Sequence, residues 1–360
     1  MKPPTLDDIS DARARVYRVL RPTPLIRHPL LGAATGLDIY VKHENHNPTG
    51  AFKIRGGLNL IGSLPDHERR GVITASTGNH GQSIAFACQR EGVPCTVFTP
   101  VGNNPDKNAA MRAYGAEVIE YGRDFDEARE HVEQIHKERG LRYVHSANEP
   151  LLIAGVGTLA LEIFDELAGV DVILTPIGGG SGASGCGLVR SGLRRRTQIV
   201  GVQAERADAF TRSWRSGTRV SADRVSTLAE GVATRVTFDL PYSILQRELD
   251  DVVTLSEEEL AGGIRLALQA THILAEGAGA APLVETPFVQ QTRADPVLGP
   301  LIGLFPLPLG RGGTATEIAE LTVFLLSPAA RFFCGSVIFC DGGTDALLRP
   351  NDWPARWNAR

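Results

Sequence analysis

Residues 171–185 read DVILTPIGGGSGASG: a β-branched apolar run, a proline, three consecutive glycines, then a serine and small residues that open a helix. A strand that ends in glycines and passes into a helix is where open α/β sheets bind ligands. Glycines let the backbone wrap an anion closely, and amides at a helix N-terminus point at it, so the stretch makes physical sense as a phosphate cradle. No Gly-Lys-Ser/Thr follows, so this is not a Walker loop, and the dinucleotide-binding spacing is incomplete because Ala183 closes it. On these residues alone, a tight turn into a helix remains the alternative.

Outward from that stretch the same alternation repeats. DIYVKHE (38–44), GVITA (71–75) and CTVFTP (95–100) read as strands, and QSIAFACQREG (82–92) and PDKNAAMRAYG (105–115) carry helical periodicity. Asn104 and Pro105 supply an N-cap with proline at the first helical position, and Gly115 a stop. VIEYG, FDEAREHVEQIHKERG, RYVHSA, TLALEIFDELAG and TQIVGVQA continue the rhythm to about residue 205. Repeated βαβ units imply an α/β fold with a mostly parallel sheet covered by helices on both faces. From about 286 to 312 the chain is rich in proline and glycine and reads as a junction.

Bulk properties narrow the function. The chain has 360 residues, enough for two ordinary domains, and a net charge of −4 with acidic and basic residues interspersed. That leaves no basic footprint for nucleic acid. MKPPTLDDIS at the start lacks the pattern of a signal peptide, and no apolar run approaches the roughly 20 residues of a membrane span. The expectation is a cytoplasmic protein whose partners are small molecules or copies of itself. Five scattered cysteines (Cys88, Cys95, Cys186, Cys334, Cys340) form no CxxC pair and read as small buried apolar residues.

Two more glycine-bounded stretches follow predicted strands: NPTGAFKIRGG (47–57), with Lys53 between Phe52 and Ile54, and STGNHGQ (76–82). Most lysines are solvated surface charges. A lysine between apolar residues in such a segment loses charge by desolvation, and a neutral amine is what a Schiff base requires. Lysine for an aldehyde, glycines for a phosphate and Asn79 for a ring hydroxyl together suggest pyridoxal 5'-phosphate.

TGAFKIRGG, STGNHGQ, PIGGGSGASG, TLAEGVA (227–233) and ILAEGAGAAPL (273–283) occur in the order seen in fold-type II pyridoxal phosphate enzymes. Over roughly residues 5–283 the chain resembles the threonine and serine dehydratase and serine racemase group. The resemblance implies a small domain at about 45–150 inserted in a large domain of about 1–44 and 151–283. It implies that Lys53 forms the Schiff base with the cofactor and that Phe52 packs beside the ring. Asn79 would bond the ring hydroxyl, and the backbone of Gly178, Gly179, Gly180 and Ser181 would hold the phosphate, with Gly231 near the cofactor. Ser76, Thr77, Asn79 and His80 would receive the substrate carboxylate, with Glu276 at the substrate end. The implied activity is a lyase that removes the β-hydroxyl of an amino acid such as threonine or serine, leaving an aminoacrylate that hydrolyses to a 2-oxo acid and ammonia. A homo-oligomer is expected. Thr77 raises an alternative, because racemases of this group carry a serine there that serves as a second base on the far face of the substrate.

Two clusters invite a metal reading. His43, Glu44 and His46 straddle a strand end, where alternation splits them between faces, and Glu205 and Asp208 read as a solvated helix start. No metal is expected.

From about Val284 the resemblance changes to the C-terminal end of short-chain dehydrogenases. Thr314 and Glu317 form a capping box before an apolar stripe, and VIFCDGGTDALLRP (337–350) follows. That family's nucleotide-binding glycine motif and Tyr-x-x-x-Lys pair are absent, so a dehydrogenase is not implied. Fold-type II dehydratases end a strand in Ser-Gly-Gly-Asn, the serine bonding the pyridine nitrogen. Two placements stay open here: the tail enters the sheet and sets Asp341 at that position, where a carboxylate favours the protonated nitrogen, or it lies elsewhere and leaves a catalytically incomplete fusion protein with an unfinished cofactor pocket.

Overall fold

The computed structural model describes residues 1–167 and 169–283, the Ala34 side chain excepted. The tail, with Thr314, Glu317 and Asp341, lies outside the described residues. In chain order the elements are α1 (Leu6–Val16), β1 (Leu25–Arg27), α2 (Pro29–Thr35), β2 (Tyr40–Lys42), α3 (Lys53–Ile61), β3 (Val72–Ala75), α4 (Asn79–Glu91), β4 (Cys95–Thr99), α5 (Pro105–Ala113), β5 (Glu117–Glu120), α6 (Phe125–Arg139) and β6 (Arg142–Tyr143). Then follow α7 (Pro150–Glu166), β7 (Val172–Pro176), α8 (Ser181–Gly192), β8 (Gln198–Ala204), α9 (Ala209–Ser216), α10 (Asp239–Glu248), β9 (Asp251–Leu255), α11 (Glu257–Thr271) and α12 (Gly277–Ala280).

Two parallel sheets result, in the orders β5-β4-β3-β6 and β7-β8-β9, with β1 and β2 as a separate antiparallel pair. Every residue of β3 and β4 is buried. Val72 and Val97 pack with Ile84 and Cys88 of α4, whereas Ile73, Ala75 and Phe98 pack with Ala128 and Val132 of α6. Helices thus cover both faces, which is why these strands read as continuous apolar runs instead of alternating ones. The second core joins α7 and α8 to β7, β8 and β9 through Ile163, Phe164, Val189, Ile199 and Val252.

The helix signals in the sequence operate as chemistry predicts. Asn104 accepts from the amides of Asp106 and Lys107 with Pro105 in the first turn, and Gly115 takes φ +80° just past the end of α5. Strand β6 is shorter than RYVHSA suggests. After Val144 the imidazole Nδ1 of His145 accepts the amides of Ala147 and Asn148 at 3.0 and 2.9 Å, turning the chain out of the sheet.

Helix α3 packs between α4 and α7 with a glycine on one side of each close contact. Gly57 abuts Ser83 of α4, and Gly155 of α7 abuts the Arg55 carbonyl, leaving no room for a methyl at either glycine. Arg55, two residues after Lys53, is wholly buried. Its guanidinium donates to Glu44 Oε2 at 2.7 Å, Glu162 Oε1 at 2.6 Å and Thr158 Oγ1 at 3.1 Å. Lys42 and Tyr17 close the cluster on Glu162, each at 2.7 Å.

Histidine 43 is buried and pairs with His28 Nε2 at 2.8 Å, while Glu44–His46 form a short 3-10 turn that sends Glu44 inward to Arg55. Asp208 pairs with Arg212 at the start of α9. Among the described residues no group of three or more His, Cys, Asp or Glu side chains is arranged to hold a metal ion. Cys88, Cys95 and Cys186 are free and buried. No helix among the described residues is long and apolar enough to cross a membrane.

Candidate active site

Lys53 opens α3, its Nζ 5.1 Å from the centroid of the Phe52 ring. Burial pulls its ammonium down to about 8, with the Glu276 carboxylate opposing the shift. Ser83 donates to the Lys53 carbonyl at 2.6 Å, which fixes the first turn of the helix against α4. Phe52 lies over the start of α8: a Cβ added at Gly182 would stand 3.3 Å from its Cζ.

The β7–α8 connection is shaped by backbone. Gly180 caps α8 with φ +86°, a left-handed conformation that favours glycine. Gly178 backs onto the carbonyl of Gly231 so closely that any Cβ there would collide with it, and Gly179 faces Ala147. Ser181, the first residue of α8, is buried. The first amides of a helix lack intrahelical partners and carry its positive end, and residues 178–181 contribute no carboxylate to oppose an anion.

The β3–α4 connection is shaped by side chains. Ser76 Oγ accepts the amides of Gly78 at 3.0 Å and Gly81 at 2.8 Å. Asn103 Nδ2 donates to the Thr77 carbonyl at 3.1 Å. Asn79 Nδ2 donates to Glu276 Oε1 at 2.6 Å. The imidazole of His80 is buried against Thr74 Oγ1 at 3.0 Å, and burial, aided by the Lys53 charge, pushes it down to about 3, so it is neutral at physiological pH. What His80 offers a ligand is therefore its place in the helix N-terminus, not its ring.

The expected residues form a chain of contacts. Phe52, next to Lys53 in the chain, adjoins the α8 start, Gly178 touches Gly231, a Cβ at Gly231 would lie 3.5 Å from Glu276 Oε1, and Glu276 reaches Asn79. Asp341 lies outside the described residues. Sequence reasoning missed Asn103, Lys107 and Glu230. Lys107 Nζ bonds Glu230 Oε2 at 2.6 Å across 123 positions of chain, and no local pattern signals that pairing.

A lysine shifted toward neutrality, a glycine cradle at one helix N-terminus and a polar loop at another can hold an aldehyde, a phosphate and a carboxylate. The donor set fits pyridoxal phosphate: backbone amides with no opposing carboxylate for the phosphate, and Lys53 for the aldehyde.

Comparison with known proteins points to the same cofactor. A sequence model described as "Pyridoxal-phosphate dependent enzyme" matches residues 16–293, and a second, "Enoyl-(Acyl carrier protein) reductase", matches residues 303–345. An L-threonine ammonia-lyase of Geobacter sulfurreducens is 42% identical over 284 residues, 79% of this chain and 70% of that protein. An L-threonine ammonia-lyase of Thermotoga maritima is 39% identical over 277 residues, 77% of this chain and 69% of that protein. Among solved structures, the processed form of threonine deaminase isoform 2 from Solanum lycopersicum superposes with a TM-score of 0.74 at 29% identity, covering 81% of this chain and 82% of that one. Maize serine racemase superposes with a TM-score of 0.75 at 26% identity, covering 81% and 92%.

Proposed function

Because the chain belongs to the pyridoxal-phosphate-dependent enzyme family, we propose that it is an ammonia-lyase that converts a β-hydroxy amino acid such as threonine or serine to a 2-oxo acid and ammonia. The observation that carries this reading is Lys53: an amine drawn down to about 8, next to the Phe52 ring that lies over the start of α8 and within the field of the Glu276 carboxylate that holds Asn79.

When bound, the cofactor supplies an aldehyde for the substrate amine and an electron sink for the charge left at the α-carbon. The backbone of Gly178, Gly179, Gly180 and Ser181 would hold its phosphate, Phe52 would flank its ring and Asn79 would meet the ring hydroxyl, while Gly231 packs behind the cradle against Ala278. Lys53 Nζ takes the α-proton, which its neutral form accepts readily. The Ser76–His80 loop orients the substrate carboxylate toward the α4 N-terminus, and Glu276 borders the substrate end. The β-hydroxyl would leave as water, carrying the proton that the protonated Lys53 can return, and the released enamine would hydrolyse to the 2-oxo acid and ammonia.

A panel of serine, threonine, 3-hydroxyaspartate and phenylserine, scored by 2-oxo acid, tests the proposal on purified protein. Lys53→Ala is expected to abolish both the visible band of lysine-bound cofactor and ammonia release. Retention of either overturns the assignment.

Thr77 favours one second reading, racemisation. Its carbonyl is held by Asn103, while its hydroxyl makes no hydrogen bond among the described residues. A free hydroxyl on the loop is suited to proton transfer at the far face. Appearance of the D-form from a pure L-amino acid supports this activity, and its absence excludes it.

A cytoplasmic location and a homo-oligomer complete the proposal, to be checked by cell fractionation and light scattering. For residues 284–360 we propose a short-chain-dehydrogenase-like segment without oxidoreductase activity, since the chain lacks that family's nucleotide-binding motif and Tyr-x-x-x-Lys pair.

A further inference from the structure

Three charged side chains at the rim of the site are left over by the chemistry above or serve only in part. Lys107, in the first turn of α5, places Nζ 2.6 Å from Glu230 and 4.0 Å from Glu276. Its stem crosses the bare Cα of Gly78: a Cβ there would stand 2.5 Å from Lys107 Cδ and 3.4 Å from Nζ. Glu230 directly precedes Gly231, which backs the glycine cradle, and Glu276 holds Asn79. One ammonium therefore touches the substrate loop and both carboxylates that face it. Among the described residues Lys107 is the only ion-pair partner of either Glu230 or Glu276.

We propose that Lys107 is a positioning and specificity residue, which neutralises Glu230 and Glu276 so that the carboxylate of an amino acid can reach the Ser76–His80 loop, and which ties that loop to the 227–233 turn and the α12 cap. The proposal rests on the ammonia-lyase reading and deepens it. Glu230 and Glu276 keep 52% and 43% of their side-chain surface in solvent, so these pairs contribute little to folding stability. Charges at the rim of a cleft nevertheless set the local concentration of a charged ligand. Without Lys107, Glu230 and Glu276 lose their ion-pair partner beside the loop that must bind a third carboxylate. The effect belongs in substrate affinity and its salt response, and not in thermal stability.

The variants Lys107→Met, Lys107→Arg, Glu230→Gln and the double variant K107M/E230Q test this on the cofactor-loaded full chain. K107M is expected to raise KM about tenfold at low salt while kcat falls by less than about threefold. The KM gap narrows as salt is added, K107R restores most of the affinity, and E230Q partly rescues K107M. In cofactor-free protein, hydrogen exchange at residues 227–233 and 273–280 becomes faster in K107M. A KM within about twofold of the parent together with unchanged exchange overturns the proposal, as does a KM rise that neither K107R nor E230Q reduces. Absence of 2-oxo acid from the parent protein overturns the ammonia-lyase reading instead, and the exchange measurement then decides the clamp by itself.

Discussion

The β3–α4 and β7–α8 connections do the same topological job and are built from opposite materials. Each leaves a parallel strand, passes through glycine and opens a helix whose N-terminus faces the site. The β7–α8 turn is held by backbone against backbone, with Gly178 on the Gly231 carbonyl and Gly180 in a left-handed conformation. The β3–α4 turn is held by side chains: Ser76, Asn103, Asn79 with Glu276, and His80 with Thr74. A backbone cradle presents one unchanging set of amides and suits the constant part of a reaction, the cofactor phosphate. A turn built from side chains suits the variable part, the amino acid.

If this division is real, variants at the two turns separate cofactor binding from substrate binding, and a variant at the helix between them does not. Arg55→Met removes the buried guanidinium shared by Glu44 and Glu162 in the first turn of α3, leaving Glu162 with Lys42 alone, and is expected to cost about 3–5 kcal/mol in denaturant unfolding, with both functions lost together. Gly178→Ala forces a methyl into the Gly231 carbonyl and is expected to weaken pyridoxal phosphate binding by about 10- to 100-fold in equilibrium dialysis, in line with overpacking costs of about 1–3 kcal/mol. Substrate KM, measured at saturating cofactor, should hardly move. If KM rises as much as the cofactor Kd, the division fails.

Lys53 sits between the two turns and tests them by pH. Only the neutral amine attacks an aldehyde, so the rate at which cofactor-free protein captures pyridoxal phosphate rises with pH and levels off above about 8. Below that point the slope is about tenfold per pH unit, whereas an ordinary lysine would keep accelerating to about 10.4. Stopped-flow absorbance across the range distinguishes the two. The smallest effect belongs to Ser76→Ala, which removes the acceptor for two amides of the substrate loop. It is expected to raise KM by about 5- to 10-fold, the equivalent of about 1 kcal/mol, with cofactor affinity unchanged.

Much of this was legible in the chain because local chemistry encodes it. Continuous β-branched apolar runs mark β3 and β4, 3.6-residue periodicity marks α4 and α5, and Asn104-Pro105 marks a helix start, since each depends on neighbours within a few positions. Glycine runs likewise advertise both turns. What the chain conceals are pairings between distant residues: Asn79 with Glu276 across 197 positions, Lys107 with Glu230 across 123, and Arg55 with Glu162 across 107. His80 reads from sequence as a ligand residue, and only the path of β3 and β6 assigns its ring to Thr74. The early end of β6 depends on one imidazole accepting two amides, a detail that periodicity does not carry.

The glycine contacts around α3 have a mechanical consequence. Packed helices slide past one another by small shifts of interdigitated side chains, and at Gly57 against Ser83 and Gly155 against the Arg55 carbonyl one partner of each contact has no side chain to shift. The joint is therefore a fulcrum and not a slipway. Whatever opening admits an amino acid has to swing the rim that carries Lys107, while the amine of Lys53 stays where the three helices clench it.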